Sequence, residues 1–430
     1  MTISDATAAS GPPGAGRATG AVSNTFITLY ALATIAIYLA VMTPVVMTLA
    51  VRVSAIDAAG KGASLGGILG IGALFALFAN PVFGQLSDRT RSRFGRRRPW
   101  LVGGGIVGLL ALMVIAVATN LIVIGIAWCV AQMAYNAVLA ALLAVVPDHV
   151  PENQRGKISA ISGMAIYVGM LLGTAIVSVV GSGGLAMFIA PSGISLLMIL
   201  VFVAFYKDKP TNGASQAHAH QSWAQMVKDT FWVNPVKHPD FGWAWLSRFF
   251  VFLGMSVLLT YQVYYLTDHL GAKPEDIGQM MFVSTLITAA CVIVASTVAG
   301  VISDRIHRRK IFVLASAAMY AAGIAVIVVL PSIAGFYIGV AVSSIAFGVY
   351  MAVDQALVVD VLPDRDTHAA KNLGVFNIAN AVPQSIAPAV APLFLAIGSA
   401  TGQNYPALYL FAAVAAFAGA FAIAPVRGVR

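Results

Sequence analysis

Two ionisable side chains of this 430-residue chain, Arg248 and Asp354, stand well inside long apolar runs. Arg248 lies eight residues past Asp240 at the start of one run, and Asp354 lies nine before Pro363 at the end of another. If the runs are helices rising about 1.5 Å per residue, both charges sit roughly 12 to 14 Å from a helix end, so their depths match and they can meet. An acid held away from water beside a guanidinium changes its proton affinity whenever its surroundings change, which suits it to carrying a proton. The plain alternative is a permanent structural ion pair. Asp360, close to the end of its run, is expected to brace Arg305 or its neighbours instead.

Polar and aromatic residues also recur at helical spacing. Tyr30, Thr34 and Tyr38 share one face, as do Trp128, Gln132, Tyr135 and Asn136; Ser343, Phe347, Tyr350 and Asp354; and Asn377, Asn380 and Gln384. Rings with neighbouring amides and hydroxyls suit a small solute such as a sugar, with its apolar C–H faces and many hydroxyls. Packing and hydrogen bonding between helices is the alternative for each residue. Tyr261, Tyr264 and Tyr265 point away from Arg248 on a straight helix and are expected to form an interfacial belt. His218 and His220 provide two metal ligands, too few for a site. No nucleotide loop, metalloprotease motif or catalytic constellation stands out, so neither enzymatic activity nor a cofactor nor a metal is expected.

The elements that must carry these residues follow from composition. Apolar residues make up 59% of the chain and charged ones 10%, against about a quarter charged in an average soluble chain. The apolar residues form runs of about twenty, long enough to cross the roughly 30 Å hydrocarbon layer as helices. Twelve spans are expected, near 24–51, 64–86, 99–119, 121–146, 158–181, 185–206, 240–267, 277–302, 311–330, 333–362, 372–397 and 405–425. The fold class is therefore an all-α membrane protein. Residues 1–23 read as a disordered tail, 24–206 and 240–425 as two six-helix bundles, 207–239 as a linker and 426–430 as a short tail. Cys129 and Cys291 fall in separate spans and read as packing residues.

The net charge of +9 is distributed by loop. Of the 24 Lys and Arg residues outside the spans, 21 fall on one side, including six arginines from Arg89 to Arg98; only Arg52, Lys61 and Lys273 fall on the other. The positive-inside rule then puts both termini and the linker in the cytoplasm, in a cytoplasmic membrane. This placement fits contact with membrane lipid rather than with nucleic acid. No obligate protein partner is implied.

The halves repeat. Gly84-Gln-Leu-Ser-Asp88-Arg89 recurs as Gly300-Val-Ile-Ser-Asp304-Arg305, and Val146-Pro147-Asp148 as Leu362-Pro363-Asp364, each 216 residues on. Two parallel six-helix repeats resemble the major facilitator transporters, which implies two pseudo-symmetric bundles with a solute site at their interface. The stretch from Gly84 through Asp88, Arg89, Gly95 and Arg96 to Pro99 resembles that superfamily's signature loop. A gate latch on the cytoplasmic side is the implied role, duplicated at Gly300, Asp304 and Arg305. Gly84 is expected to let neighbouring helices approach closely.

The wording SDRTRSRFGRRRPW narrows the resemblance to the glycoside-pentoside-hexuronide:cation symporters and the related sucrose carriers. Gly374 to Gln384 resembles the GxxNxxxxxPQ segment of sucrose carriers, and Ala141-Leu-Leu-Ala144 their ALLA. The arginine and acid that flank ALLA in those carriers are here Ala140 and Val145, and the paired acids of sodium-coupled relatives are Ala76 and Asn80. Neither coupling site is intact. The resemblance implies a secondary carrier of a sugar or glycoside working by alternating access, here as a proton symporter with Asp354 titrating beside Arg248. A proton-antiporting exporter of drug-like compounds is the alternative, although span five reads Gly169-Met-Leu-Leu-Gly173-Thr without the Gly-Pro signature of such exporters. A non-transporting sensor would need neither an embedded acid nor a duplicated loop.

Overall fold

A backbone in hydrocarbon must satisfy its own hydrogen bonds, and helices do so span by span. The computed structural model describes residues 22–206, 208, 237–306, 308–361, 365–399 and 403–426, without the side chains of 152, 304, 359–361, 365–374 and 377. Most of the expected linker, with His218 and His220, and most of both tails lie outside the described residues, as does the side chain of Asp360.

Among the described residues, twelve helices are long and apolar enough to cross a membrane. Spans one to six run Asn24–Ile56, Lys61–Arg89, Arg98–Val117, Leu121–His149, Glu152–Val180 and Ala186–Phe205. Spans seven to twelve run Pro239–His269, Ile277–Ile306, Arg309–Val329, Ile333–Val361, Arg365–Leu395 and Tyr405–Ala422. The expected twelve-helix fold is the one observed. Its largest boundary shifts are at spans five and eleven, which begin six or seven residues earlier than expected because polar turns extend the helices beyond their apolar runs. Caps set other ends: Ser23 Oγ accepts from the Phe26 N–H, and Asn120 Oδ1 from the Ile122 N–H.

The packing repeats between halves. Span one packs on five and six as span seven packs on eleven and twelve; span four packs on two and three as span ten packs on eight and nine. Spans three and six touch, as do nine and twelve. The seam between halves is made by span two on eleven and span five on eight. Outward faces carry exposed Ile122, Val179, Phe205, Val329 and Leu393, suited to acyl chains, while large side chains such as Trp128, Tyr30, Tyr135 and Phe202 are fully buried within.

With an even number of spans, residues 22 and 426 share a side, here called the terminal side; the other is the far side. On the far side Tyr264 donates to Ala50 O at 2.9 Å and Tyr261 to Gly62 O at 3.0 Å, both across the seam. Tyr265 donates to Ile327 O at 2.7 Å. All three rings are buried, which corrects the expected interfacial belt: Tyr261 and Tyr264 face the other half across the seam rather than the membrane surface, and Tyr265 opens the π-helical last turn of span seven, Tyr265–His269. Close approach of helices also differs from expectation. Beyond the glycine's own helix, no described atom lies within 4 Å of where a Cβ would stand on Gly84 or Gly300, whereas on Gly66 it would lie 2.5 Å from Pro388 O and on Gly70 3.1 Å from Ser385 O. The glycines that let span two lie against span eleven are thus four to five turns from Gly84. In the adjoining far-side loop, the Ser64 hydroxyl and the Gly60 N–H hold the Asp57 carboxyl below the usual carboxylate range.

Candidate functional site

Between the halves lies a cavity of about 480 Å³, a volume in the range of small-ligand sites. The N-terminal half contributes mostly apolar side chains, among them Met42, Val45, Met164 and Met170, with Tyr167 as the polar exception. The C-terminal half contributes amides and hydroxyls from spans seven, eight, ten and eleven, including Gln262, Ser284, Thr288, Ser344, Asn380 and Gln384. None of the described lining residues is charged. Toward the far side the wall is buried at Ser284, Thr285 and Gln262, and Thr174 and Thr285 share a hydrogen bond of 2.6 Å across the seam. Toward the terminal side Ala160, Gly163 and Met164 are exposed. The cavity is sealed at the far end and opens toward the terminal side.

Arg248 and Asp354 do meet. Arg248 Nη1 lies 3.0 Å from Asp354 Oδ2, and the two side chains are 3% and 0% exposed. Arg248 Nε donates to Asn380 Oδ1 at 2.5 Å, and its guanidinium lies over the rings of Phe252 and Phe376 at 5.5 and 4.8 Å. Tyr350, one turn before Asp354, is fully buried. The pair stands behind the cavity wall, and Asn380 and Phe252 belong to both. A cation and an anion stripped of water are each costly alone, so whatever changes one must be answered at the other.

Of the four polar stripes, the structure brings parts of two to the cavity: Phe347 and Ser343 from span ten, Asn380 and Gln384 from span eleven. The Asn377 side chain lies outside the described residues. The stripes in spans one and four go elsewhere. Trp128 fills the space left by Gly72 and Tyr135 that left by Gly108. Asn136 donates to Gln132 O at 2.8 Å, Thr34 to Tyr30 O at 2.8 Å, and Tyr30 stacks among Phe26 and Phe202. Tyr38 packs on Gly169 of span five. These large rings sit opposite glycines or aromatic neighbours, so interhelical packing accounts for them. Sequence reasoning missed Gln262, Ser284, Thr288 and Ser344; small hydroxyl residues are common in membrane helices, and no run of rings marks them.

The loop between spans two and three is built around Arg97, which is 3% exposed. Its Nη2 lies 2.6 Å from Asp88 Oδ1 and 3.2 Å from Asp148 Oδ2, and its Nη1 donates to Ser87 Oγ at 2.5 Å. Arg96 Nη2 donates to the same Asp148 oxygen at 2.7 Å. Gly95 takes φ +99°, where a Cβ would run into the Asp208 carboxylate, and Asp208 accepts from the Arg97 N–H at 2.6 Å. Arg89 is exposed. Asp88, Gly95 and Arg96 therefore belong to one network, whose centre, Arg97, and whose shared acceptor, Asp148, were legible only as an arginine run and a repeated Pro-Asp. In the second copy Arg305 is exposed and the Asp304 side chain lies outside the described residues; nearby, Arg309 donates to Ala356 O at 3.1 Å.

A family profile described as MFS/sugar transport protein matches residues 18–425. The lactose permease of Lactobacillus delbrueckii subsp. bulgaricus is 24% identical over 216 residues, 45% of this chain and 34% of that protein. The general alpha-glucoside permease of Schizosaccharomyces pombe is 27% identical over 118 residues, 24% of this chain and 21% of that protein. The alignments thus span about a third or less of the curated relatives. Among solved structures, the nucleoside transporter NupG superposes with TM-score 0.71 at 13% identity, covering 93% of this chain and 98% of that one. A D-xylose-proton symporter superposes with TM-score 0.68 at 15% identity, covering 94% and 97%.

Proposed function

The chain belongs to the MFS/sugar transport family, and from that premise we propose that it is a secondary carrier which moves a sugar or glycoside by alternating access in symport with a proton. The observation that carries the reading is the buried Arg248–Asp354 pair, joined through Asn380 to a cavity with no described charged lining. Protonation of Asp354 removes the anion that holds the guanidinium, and Arg248 then depends on Asn380, a cavity residue, for its hydrogen bond. Solute and proton thereby act on the same few side chains, as a coupled carrier requires. A cavity without charge among its described lining residues favours a neutral solute, because a charged one would have to shed its water without a partner. With the terminal side in the cytoplasm, as the basic loops require, the sealed far side faces outward and the cavity opens inward. The loop around Arg97, whose contacts to Asp88 and Asp148 stay within the N-terminal half here, lies at that open mouth and is the proposed latch that engages the other half when the mouth closes.

A second reading, proton-driven export of lipophilic compounds, is favoured by the methionine-lined wall of the N-terminal half. Purified protein in liposomes separates the two. Under an inwardly directed proton gradient, a panel of labelled sugars, glycosides, nucleosides and lipophilic cations should yield concentrative uptake of a sugar or glycoside, abolished by a protonophore and indifferent to sodium. Uptake of none of the sugars, or uptake that follows sodium alone, would defeat the reading.

A further inference from the structure

The buried far end of the cavity holds hydrogen-bonding capacity that the protein itself hardly uses. Gln262 is 5% exposed; its Nε2 reaches Leu259 O only at 3.3 Å, and its Oε1 receives Ser284 Oγ only at 3.5 Å. Ser344 Oγ reaches Thr288 Oγ1 at 3.3 Å, while Thr288, half-buried, donates its own proton to Ser284 O at 2.9 Å and has acceptor capacity left over. The bonds of Gln262, Ser284 and Ser344 are long beside the 2.6 to 3.0 Å of the seam contacts at Thr174, Tyr264 and Tyr261, and bonds weaken as they lengthen and bend. A primary amide offers two donors and an acceptor with two lone pairs, and each hydroxyl one donor and two acceptor positions. The long bonds of Gln262, Ser284 and Ser344 can be exchanged for bonds to a ligand's hydroxyls at small cost, and Thr288 can accept from one while keeping its bond to Ser284 O.

All four side chains come from the C-terminal half. Counted from the far ends of spans seven, eight and ten, they lie at a common depth of roughly 10 to 16 Å, beyond the level of Arg248 and Asp354. Across the cavity stand Met42, Met170 and Tyr167 of the N-terminal half.

Building on the proposed sugar transport, we infer that Gln262, Ser284, Thr288 and Ser344 form the specificity-determining subsite for a neutral ring with adjacent hydroxyls. The hydroxyl edge binds the C-terminal half and the C–H face rests on the methionines and Tyr167. The subsite and the Arg248–Asp354 pair belong to the same half, so the solute stays with the coupling pair while the apolar wall of the other half moves past it. A solute carrying a carboxylate, phosphate or ammonium finds no counter-charge among the described residues there and is excluded.

The test uses the purified full chain and measures binding and liposome uptake of methyl α- and β-glucopyranosides and galactopyranosides with their monodeoxy analogues. Gln262→Leu and Thr288→Val should each raise Kd and KM about tenfold while kcat and the proton dependence of uptake hold. The deoxy analogue lacking the matching hydroxyl should lose affinity in the wild type and little further in the variant. Thr288→Val keeps shape, so it reports on the subsite even if Gln262→Leu folds poorly. If the wild type binds the pyranosides and both variants bind them unchanged, the subsite is overturned and the sugar reading stands. If the wild type binds none of them while transporting a solute that is not a sugar, both fall together.

Discussion

Lys61 Nζ sits 2.6 Å from Asp268 Oδ1, an ion pair that joins the two halves at the far mouth of the cavity. Asp268 also accepts from Tyr405 Oη at 2.6 Å and Thr267 Oγ1 at 2.9 Å, and Lys61 lies over the Tyr264 ring at 5.0 Å. Both charges are mostly buried and hydrogen-bonded, so the pair is stronger than an exposed one. Its contacts cross between spans two and seven, which must separate when the far side opens. Lys61→Ala removes a charge-assisted contact of about 1.5 to 3 kcal/mol from the far-closed state alone, and should shift the population toward the far-open state by tenfold or more. Accessibility of a cysteine in place of Thr174, similar in size and buried at the far end of the seam, to a membrane-impermeant reagent added on the far side reads this shift. Unchanged labelling in Lys61→Ala would remove the latch role.

The loop network at the terminal mouth makes a graded prediction. Asp88 is 57% exposed while its partner Arg97 is buried, so Asp88→Asn should cost under about 1 kcal/mol of stability yet slow transport by loosening the latch. Asp148, shared by Arg96 and Arg97, should cost about 1.5 to 3 kcal/mol when changed to Asn. Thermal unfolding in detergent, set beside uptake rate, separates the effects. Equal losses of stability in both variants, with transport following stability, would make the loop an anchor rather than a latch.

Orientation rests on charge. A cysteine at Ser215, in the 207–239 stretch, should be labelled only after the cells are opened, and one at Gly183 on the far side in intact cells. Gly183 suits the test because nothing lies within 4 Å of where its Cβ would stand, whereas at Gly60 the Cβ would meet the Asp57 carboxylate. Labelling of Ser215→Cys from outside intact cells would invert the assignment.

The fold was legible because the membrane imposes it: apolar length sets the twelve spans, and the 216-residue repeat at Asp88 and Asp304 marks the two halves. The meeting of Arg248 and Asp354 was legible for the same reason, since two buried charges at one depth leave few other partners. The cavity walls were not. Helical spacing groups Trp128 with Tyr135, but it does not say that Gly72 and Gly108 stand opposite to receive them. Periodicity on a straight helix also failed at the π-helical turn of Tyr265–His269, which carries Asp268 toward Lys61. Serines and threonines such as Ser284 and Thr288 stay silent in sequence because their hydroxyls also satisfy their own helices, as Thr288 does with Ser284 O at 2.9 Å.

Coupling through the buried pair is the central claim, and Asp354→Asn tests it most directly because the amide keeps the shape of the carboxyl while fixing its charge at zero. Uptake by the variant in liposomes should lose proton-driven accumulation while solute exchange between the two faces at equal concentration persists, since the cavity residues remain. Accumulation against a gradient by Asp354→Asn, with the pH profile of the wild type, would contradict the account and make the Arg248–Asp354 pair purely structural.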